Sequence, residues 1–128
     1  MKKTILLVED DLATIDVYEI ALTKAGFEVE VASSGSEAIE RIKAVGQGAK
    51  KPDLVLLDLL LPDINGIEVL KEIRGQKETK DTLVFVMTNY TDGELEKIGY
   101  KLKAEKSILK AEYTPSQLAE LVKKRLEG

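Results

Sequence analysis

Apolar runs of strand length alternate with stretches of helical spacing from one end of the chain to the other. Ile5 to Val8 is apolar and partly β-branched, and it stops at Glu9-Asp10-Asp11. Leu54 to Leu57 and Leu83 to Met87 are apolar throughout and end at Asp58 and Thr88. Ser107 to Leu109 is shorter and ends at Lys110. Glu28 to Ala32 alternates instead, with Val29 and Val31 assigned to one face. Continuously apolar strands are buried on both sides, which is the habit of a parallel sheet covered by helices.

The intervening segments carry apolar residues three and four apart. Ile15, Tyr18, Leu22 and Ala25 form one stripe, which Gly26 stops. Ser34-Gly35-Ser36-Glu37 reads as a capping box opening a helix with Ala38, Ile42 and Val45 on one side. Ile67, Leu70 and Ile73 make a third stripe, closed by Gly75. A fourth helix between Asp92 and Lys103 has the thinner stripe Leu95, Ile98, Leu102, with Gly99 inside it. Thr114-Pro115-Ser116-Gln117 combines a capping threonine, proline at the first helical position and glutamine at the third. Leu118, Leu121, Val122 and Leu126 follow. Strict alternation predicts one α/β domain over residues 1–128, a doubly wound five-stranded parallel sheet with five helices. Gly46 to Pro52 reads as a flexible loop within it, because the apolar pattern resumes at once. Periodicity leaves the order of the strands open.

Composition narrows the chemistry. A chain of 128 residues suits one core and is too short for two ordinary domains. With 44% hydrophobic and 33% charged residues it reads as globular rather than disordered. Lysine and arginine number 19 against 23 acids, a net charge of −4, which argues against direct nucleic-acid binding. The absence of cysteine and histidine excludes disulfides, thiol catalysis, Cys/His zinc sites and Ser-His-Asp chemistry. The apolar runs fall far below the ~20 residues that cross a bilayer, so no membrane insertion is expected. Met1-Lys2-Lys3-Thr4 leads into a short apolar run followed by acids, unlike a signal peptide, and a cytoplasmic location is the expectation.

In an open α/β sheet, ligands bind at the carboxyl ends of the strands. Four of the five expected strands end in a chemically useful group: Glu9-Asp10-Asp11, Asp58, Thr88 and Lys110. A single acid after a strand is ordinarily a turn former or a helix cap. Several acids gathered at one edge repel one another and call for a cation. Oxygen donors without nitrogen or sulfur favour Mg²⁺, Ca²⁺ or Mn²⁺. Lysine is a point-charge partner for phosphate, and a threonine hydroxyl can donate to a phosphoryl oxygen. Together these are the parts that phosphoryl transfer onto an aspartate requires.

The chain resembles the receiver domain of two-component response regulators, which have a flavodoxin/CheY-like fold. The likeness is carried by Ile5 to Asp11, by Pro52 to Glu68 with its aspartate-ended strand followed by Leu-Pro and Gly66-x-Glu68, by Val84 to Thr88, and by Ile108-Leu109-Lys110. It implies phosphorelay signal transduction, with Asp58 as phosphoryl acceptor and Mg²⁺ as cofactor. Asp10, Asp58 and the backbone carbonyl of Leu60 would ligate the metal, and Glu9 would act at it, directly or through a water. Thr88 would bond the phosphoryl group and Lys110 would neutralise it. Asp11 is expected to cap a helix rather than bind metal, Pro62 and Gly66 to form a turn and a helix start, and Asp53 and Asp63 to be solvated loop acids. Lacking histidine, the chain needs a donor protein: a sensor histidine kinase or a phosphotransfer protein. Apart from self-catalysed phosphoryl uptake and autodephosphorylation, no enzyme activity is implied. An unidentified downstream protein would read the altered surface.

The chain departs from the family pattern in three places. Ser107 stands where an aromatic switch residue is usual, Ala111 where proline follows the lysine, and Asn89 where a small residue follows the threonine. Leu60 and Tyr90 occupy positions that, by the resemblance, would flank the path of the hydrolytic water. Their apolar bodies are expected either to slow loss of phosphate from Asp58 or merely to pack over the site. The charges from Lys97 to Lys106 read as a solvated helix face, with partner docking as the alternative. Among rivals, a flavodoxin-like cofactor binder would have to place its phosphate against Glu9-Asp10-Asp11. A nucleotide binder lacks its glycine motif, and a haloacid-dehalogenase-type phosphatase would need a second acid where Leu60 stands. A receiver-shaped module that takes no phosphate is the remaining alternative.

Overall fold

A computed structural model describes residues 2–89, 97 and 101–127. The chain runs β1 (Thr4–Val8), α1 (Leu12–Lys24), β2 (Glu28–Ala32), α2 (Gly35–Val45), β3 (Leu54–Asp58), α3 (Gly66–Gly75), β4 (Leu83–Thr88), β5 (Lys106–Leu109), a 3₁₀ turn (Lys110–Glu112) and α4 (Pro115–Glu127). The helix expected between Asp92 and Lys103 falls mostly outside the described residues.

All strand pairings are parallel, in the order β2-β1-β3-β4-β5. Every residue of β1 and β3 is buried, and all of β4 but Leu83. The pleat sends alternate residues to opposite faces. Ile5, Leu7, Leu54, Leu56, Phe85 and Met87 join Ile15, Tyr18 and Leu22 of α1 and Leu118 and Val122 of α4 in one core. Leu6, Val8, Val55, Leu57, Val84 and Val86 meet Ala38 and Ile42 of α2 and Leu70 and Ile73 of α3 in the other. A one-residue slip in register would exchange the two sets. Each fully buried Leu, Ile or Val is worth about 2 kcal/mol, so the register is firmly held. The chain leaves β1 toward β2 and leaves β3 toward β4, so the sheet changes winding direction between β1 and β3.

Several helix ends follow the sequence closely. Asp11 caps α1, accepting from Thr14 N at 2.9 Å and Thr14 Oγ1 at 2.6 Å. Gly26, at φ +100°, turns the chain out of that helix in a conformation that favours glycine. Thr114 and Gln117 form the reciprocal box at the start of α4, at 2.9 and 3.1 Å. The box on α2 closes differently: Ser34 Oγ accepts from Glu37 N, but the Glu37 carboxylate reaches Ser33 N rather than Ser34 N.

Val29 and Val31 share a face as expected, opposite Ile5 and Leu7, but β2 is an edge strand, so Val29 packs on the core while Val31 remains 38% exposed. Two expectations need correction. Asp53 is not a solvated acid: its carboxylate accepts the Thr4 N–H at 2.7 Å and ties the start of β1 to β3. Asp63 is not a bystander either, since its carboxylate accepts from Gly35 N, Ser36 N and Ser36 Oγ at the start of α2. A loop carboxylate finds such partners when a helix N-terminus, with its unpaired N–H groups and positive dipole end, lies within reach.

Candidate phosphorylation site

The point where the winding reverses is the crevice in which open α/β sheets bind ligands. Glu9 and Asp10 leave β1 there and Asp58 ends the adjacent β3. Glu9 is buried, its main chain pinned by a bond from Glu9 N to Ala32 O at 3.1 Å. Its Oε2 accepts from Asp10 N at 3.1 Å and Asp11 N at 3.3 Å, so the turn folds around its own acid. Asp58 is 5% exposed. Its Oδ1 accepts from Leu60 N at 3.0 Å and its Oδ2 accepts from Lys110 Nζ at 2.9 Å. The Lys110 ammonium also donates to Glu9 Oε1, bridging the two acids. Burial alone would push the Lys110 pKa down, but its bonds to Glu9 and Asp58 and their charges outweigh this, and the net direction is up.

Glu9, exposed Asp10 and Asp58 each present a carboxylate oxygen within 4.8 Å of the others. Three carboxylates against one ammonium leave two negative charges in a mostly buried space. An all-oxygen donor set with that charge deficit fits a hard divalent cation such as Mg²⁺.

Thr88 ends β4, buried between the strands that carry Asp58 and Lys110. Leu60 lies at the rim, 43% exposed. Ser107 lines up with Val86 in the sheet, and its Oγ is buried without a hydrogen-bond partner. Tyr90 lies outside the described residues, as do residues 98–100 of the segment from Lys97 to Lys106. Glu9, Asp10, Asp58, Thr88 and Lys110 thus meet at one edge, while Asp11 turns to its helix.

Three supports escaped the sequence reading. Tyr18 is buried on α1 close enough for its phenol to feel Lys110, Glu9 and Asp58, and burial pushes its pKa up. Asn65 caps α3, accepting from Ile67 N at 2.9 Å. Arg74 donates to the carbonyls of Lys80, Thr82, Leu102 and Lys103, holding the segments before β4 and β5 together. Asn65 had a legible signal, an Asx residue one place before a helix. Arg74 had none, because carbonyl partners leave no mark on composition.

A family profile of the response regulator receiver domain matches residues 5–123. The alkaline phosphatase synthesis transcriptional regulatory protein PhoP of Bacillus subtilis (strain 168) is 34% identical over 126 residues, covering 96% of this chain and 48% of that protein. The DNA-binding response regulator MtrA of Mycobacterium tuberculosis (strain H37Rv) is 32% identical over 126 residues, covering 98% of this chain and 51% of that one. The chain therefore spans about half the length of these relatives. A CheY-like receiver domain protein from Methanospirillum hungatei JF-1 superposes with a TM-score of 0.87 at 28% identity, covering 99% of this chain and 95% of the other. The phosphorylated cyanobacterial phytochrome response regulator RcpA gives 0.83 at 34% identity, over 99% and 93% of the two chains. By its profile match, its relatives and its fold, the chain belongs to the response regulator receiver domain family.

Proposed function

We propose that Asp58 takes up a phosphoryl group from a phosphohistidine on a sensor histidine kinase or phosphotransfer protein, in a Mg²⁺-dependent reaction. The observation that carries this reading is the buried Asp58 carboxylate, held by Leu60 N–H and Lys110, inside a cluster two charges short of neutrality. An Asp58 oxygen attacks phosphorus, the bond from phosphorus to the donor nitrogen breaks, and the imidazole leaves with its electron pair. Glu9, Asp10 and Asp58 would hold Mg²⁺, joined by the carbonyl of Leu60. When bound, the ion supplies positive charge against the transferring oxygens. Lys110 neutralises part of the incoming charge and Thr88 supplies a hydroxyl to the phosphoryl group. Both uptake and later hydrolysis are carried out by the chain on itself, with no separate substrate turned over.

The surface beside the site suits a protein donor. Leu12, Val17 and Ile20 of α1 are 75%, 46% and 57% exposed, and Leu60 adds a fourth apolar body at the rim. Leu12 and Ile20 lie two helical turns apart on one side of α1, with Asp16 between them, a face the core leaves uncovered. A phosphoryl group on Asp58 adds roughly two negative charges at a strand end, to which Thr88 and Lys110 respond. The downstream protein that reads the change is of unknown identity.

Incubation with Mg²⁺ and acetyl phosphate tests the reading. Intact mass is expected to rise by one phosphoryl group, and Asp58→Asn to abolish the gain. No gain in the unaltered protein would overturn the proposal in favour of a phosphate-independent interaction module.

A further inference from the structure

Asp63 sits in the loop between β3 and α3, yet its carboxylate reaches across to the start of another element. Oδ1 accepts from Gly35 N at 2.9 Å, and Oδ2 accepts from Ser36 N at 2.9 Å and Ser36 Oγ at 2.7 Å. These are the first two N–H groups of α2. The third, Glu37 N, goes to Ser34 Oγ at 3.1 Å, and the fourth, Ala38 N, to the Ser34 carbonyl at 3.1 Å. The first turn of α2 is thus fully paired, and half of that pairing comes from the loop that follows Asp58.

The same loop packs on the helix start. A Cβ on Gly35 would lie 2.2 Å from Ile64 Cγ1, so Ile64 rests directly on that residue. At its other end the loop is fastened by Gly66 N to Leu59 O at 2.9 Å, with no room for a Cβ on Gly66 beside the Asp58 carbonyl. Leu60 lies between these fastenings, and its N–H orients Asp58 through Oδ1.

We infer that Asp63 is a positioning residue of the phosphorylation site: its grip on Gly35 and Ser36 fixes the β3–α3 loop so that the Leu60 main chain meets the Asp58 carboxylate, and this sets the affinity of the acidic cluster for Mg²⁺. The inference rests on the reading of Glu9, Asp10 and Asp58 as a Mg²⁺ site. Groups that orient a first ligand typically govern 10- to 100-fold of metal affinity. The hydrogen bonds from Ser36 and Gly35 also hold the Asp63 carboxyl well below the usual carboxylate range, so the grip persists in mild acid.

If Asp63 were only a cap for α2, any equal loss of capping would do the same harm. Ser34→Ala supplies that control, because it uncaps the same helix end without touching the loop. Mg²⁺ binding by the full chain is measured by isothermal titration calorimetry alongside thermal melting. Asp63→Ala and Ser34→Ala are both expected to lower Tm. Only Asp63→Ala is expected to weaken Mg²⁺ binding, by about ten-fold or more. Asp63→Asn keeps one acceptor oxygen and is expected to fall between, and it decides the matter against Ser34→Ala should Asp63→Ala fail to fold. Mg²⁺ affinity unchanged in the Asp63 variants, or equally weakened by Ser34→Ala, would overturn the inference. A wild-type chain that binds no Mg²⁺ would instead remove the site reading itself and the inference with it.

Discussion

Lys110 and Asp58 meet at 2.9 Å although β5, which Lys110 follows, and β3, which Asp58 ends, are not neighbours. β4 lies between them and ends at Thr88, so the lysine side chain reaches across the tip of one strand to bond the acid on the next. The same ammonium engages Glu9 of β1, drawing the carboxyl ends of three strands onto one cation.

Lys110→Met keeps most of the stem and removes the charge. Breaking one side of a buried ion pair leaves uncompensated charge and costs roughly 3 kcal/mol, to be read from urea melts at neutral pH without divalent ions. Because the ammonium and a bound divalent ion would neutralise the same carboxylates, added Mg²⁺ is expected to stabilise the variant more than the wild type. Equal Mg²⁺ increments in the two proteins would contradict this.

Leu60 presents an apolar side chain at the mouth of the site, 43% exposed. Leu60→Asn offers a hydrogen-bonding group where water would have to approach the phosphorylated Asp58. Loss of phosphate, followed by intact mass after removal of acetyl phosphate, is expected to be faster in the variant. Equal rates would reduce Leu60 to a packing residue.

Much of this architecture was legible in advance because burial on both faces writes itself as unbroken apolar runs. Ile5 to Val8, Leu54 to Leu57 and Leu83 to Met87 announced the three central strands, and the residue closing each run was a site residue or led into one. Thr114 and Gln117 announced a helix start for an equally local reason, since both partners of the box lie within one turn. What escaped was non-local. Asp63 and Asp53 looked like loop acids because their partners, Gly35, Ser36 and Thr4, are brought to them only by the fold. The shared face of Val29 and Val31 was legible, but the exposure of Val31 on edge strand β2 was not, because strand order is a property that periodicity does not encode.

Gly66 marks a close approach rather than a turn conformation. A Cβ there would stand 2.4 Å from the Asp58 carbonyl oxygen and 2.6 Å from Leu59 Cα, both backbone atoms that cannot swing aside. Gly66→Ala is expected to cost about 3 kcal/mol by overpacking and to displace Asp58. Urea denaturation and phosphoryl uptake under conditions where the variant is folded read the two effects. A variant as stable and as readily phosphorylated as the wild type would show that the loop yields.

Glu30 and Arg41 give the acid dependence of stability a specific component. Arg41 Nε meets Glu30 Oε2 at 2.8 Å and a second guanidinium nitrogen meets Oε1 at 2.9 Å. These bonds hold the Glu30 carboxyl below its ordinary value, against a smaller opposing push from burial. A folded-state pKa below the unfolded one contributes stability that is present above the unfolded value and is lost as pH falls through the folded one. Glu30→Gln is therefore expected to be less stable than the wild type at neutral pH, with the gap closing in acid as the wild-type carboxyl takes up its proton. The Glu30 side chain is 41% exposed, so solvent screens the pair and the gap at neutrality is about 0.5 kcal/mol. High salt is expected to narrow it at neutral pH without altering its direction. Urea midpoints for both proteins across the acid range supply the measurement, and a difference that stays constant with pH would assign the loss to packing rather than to charge.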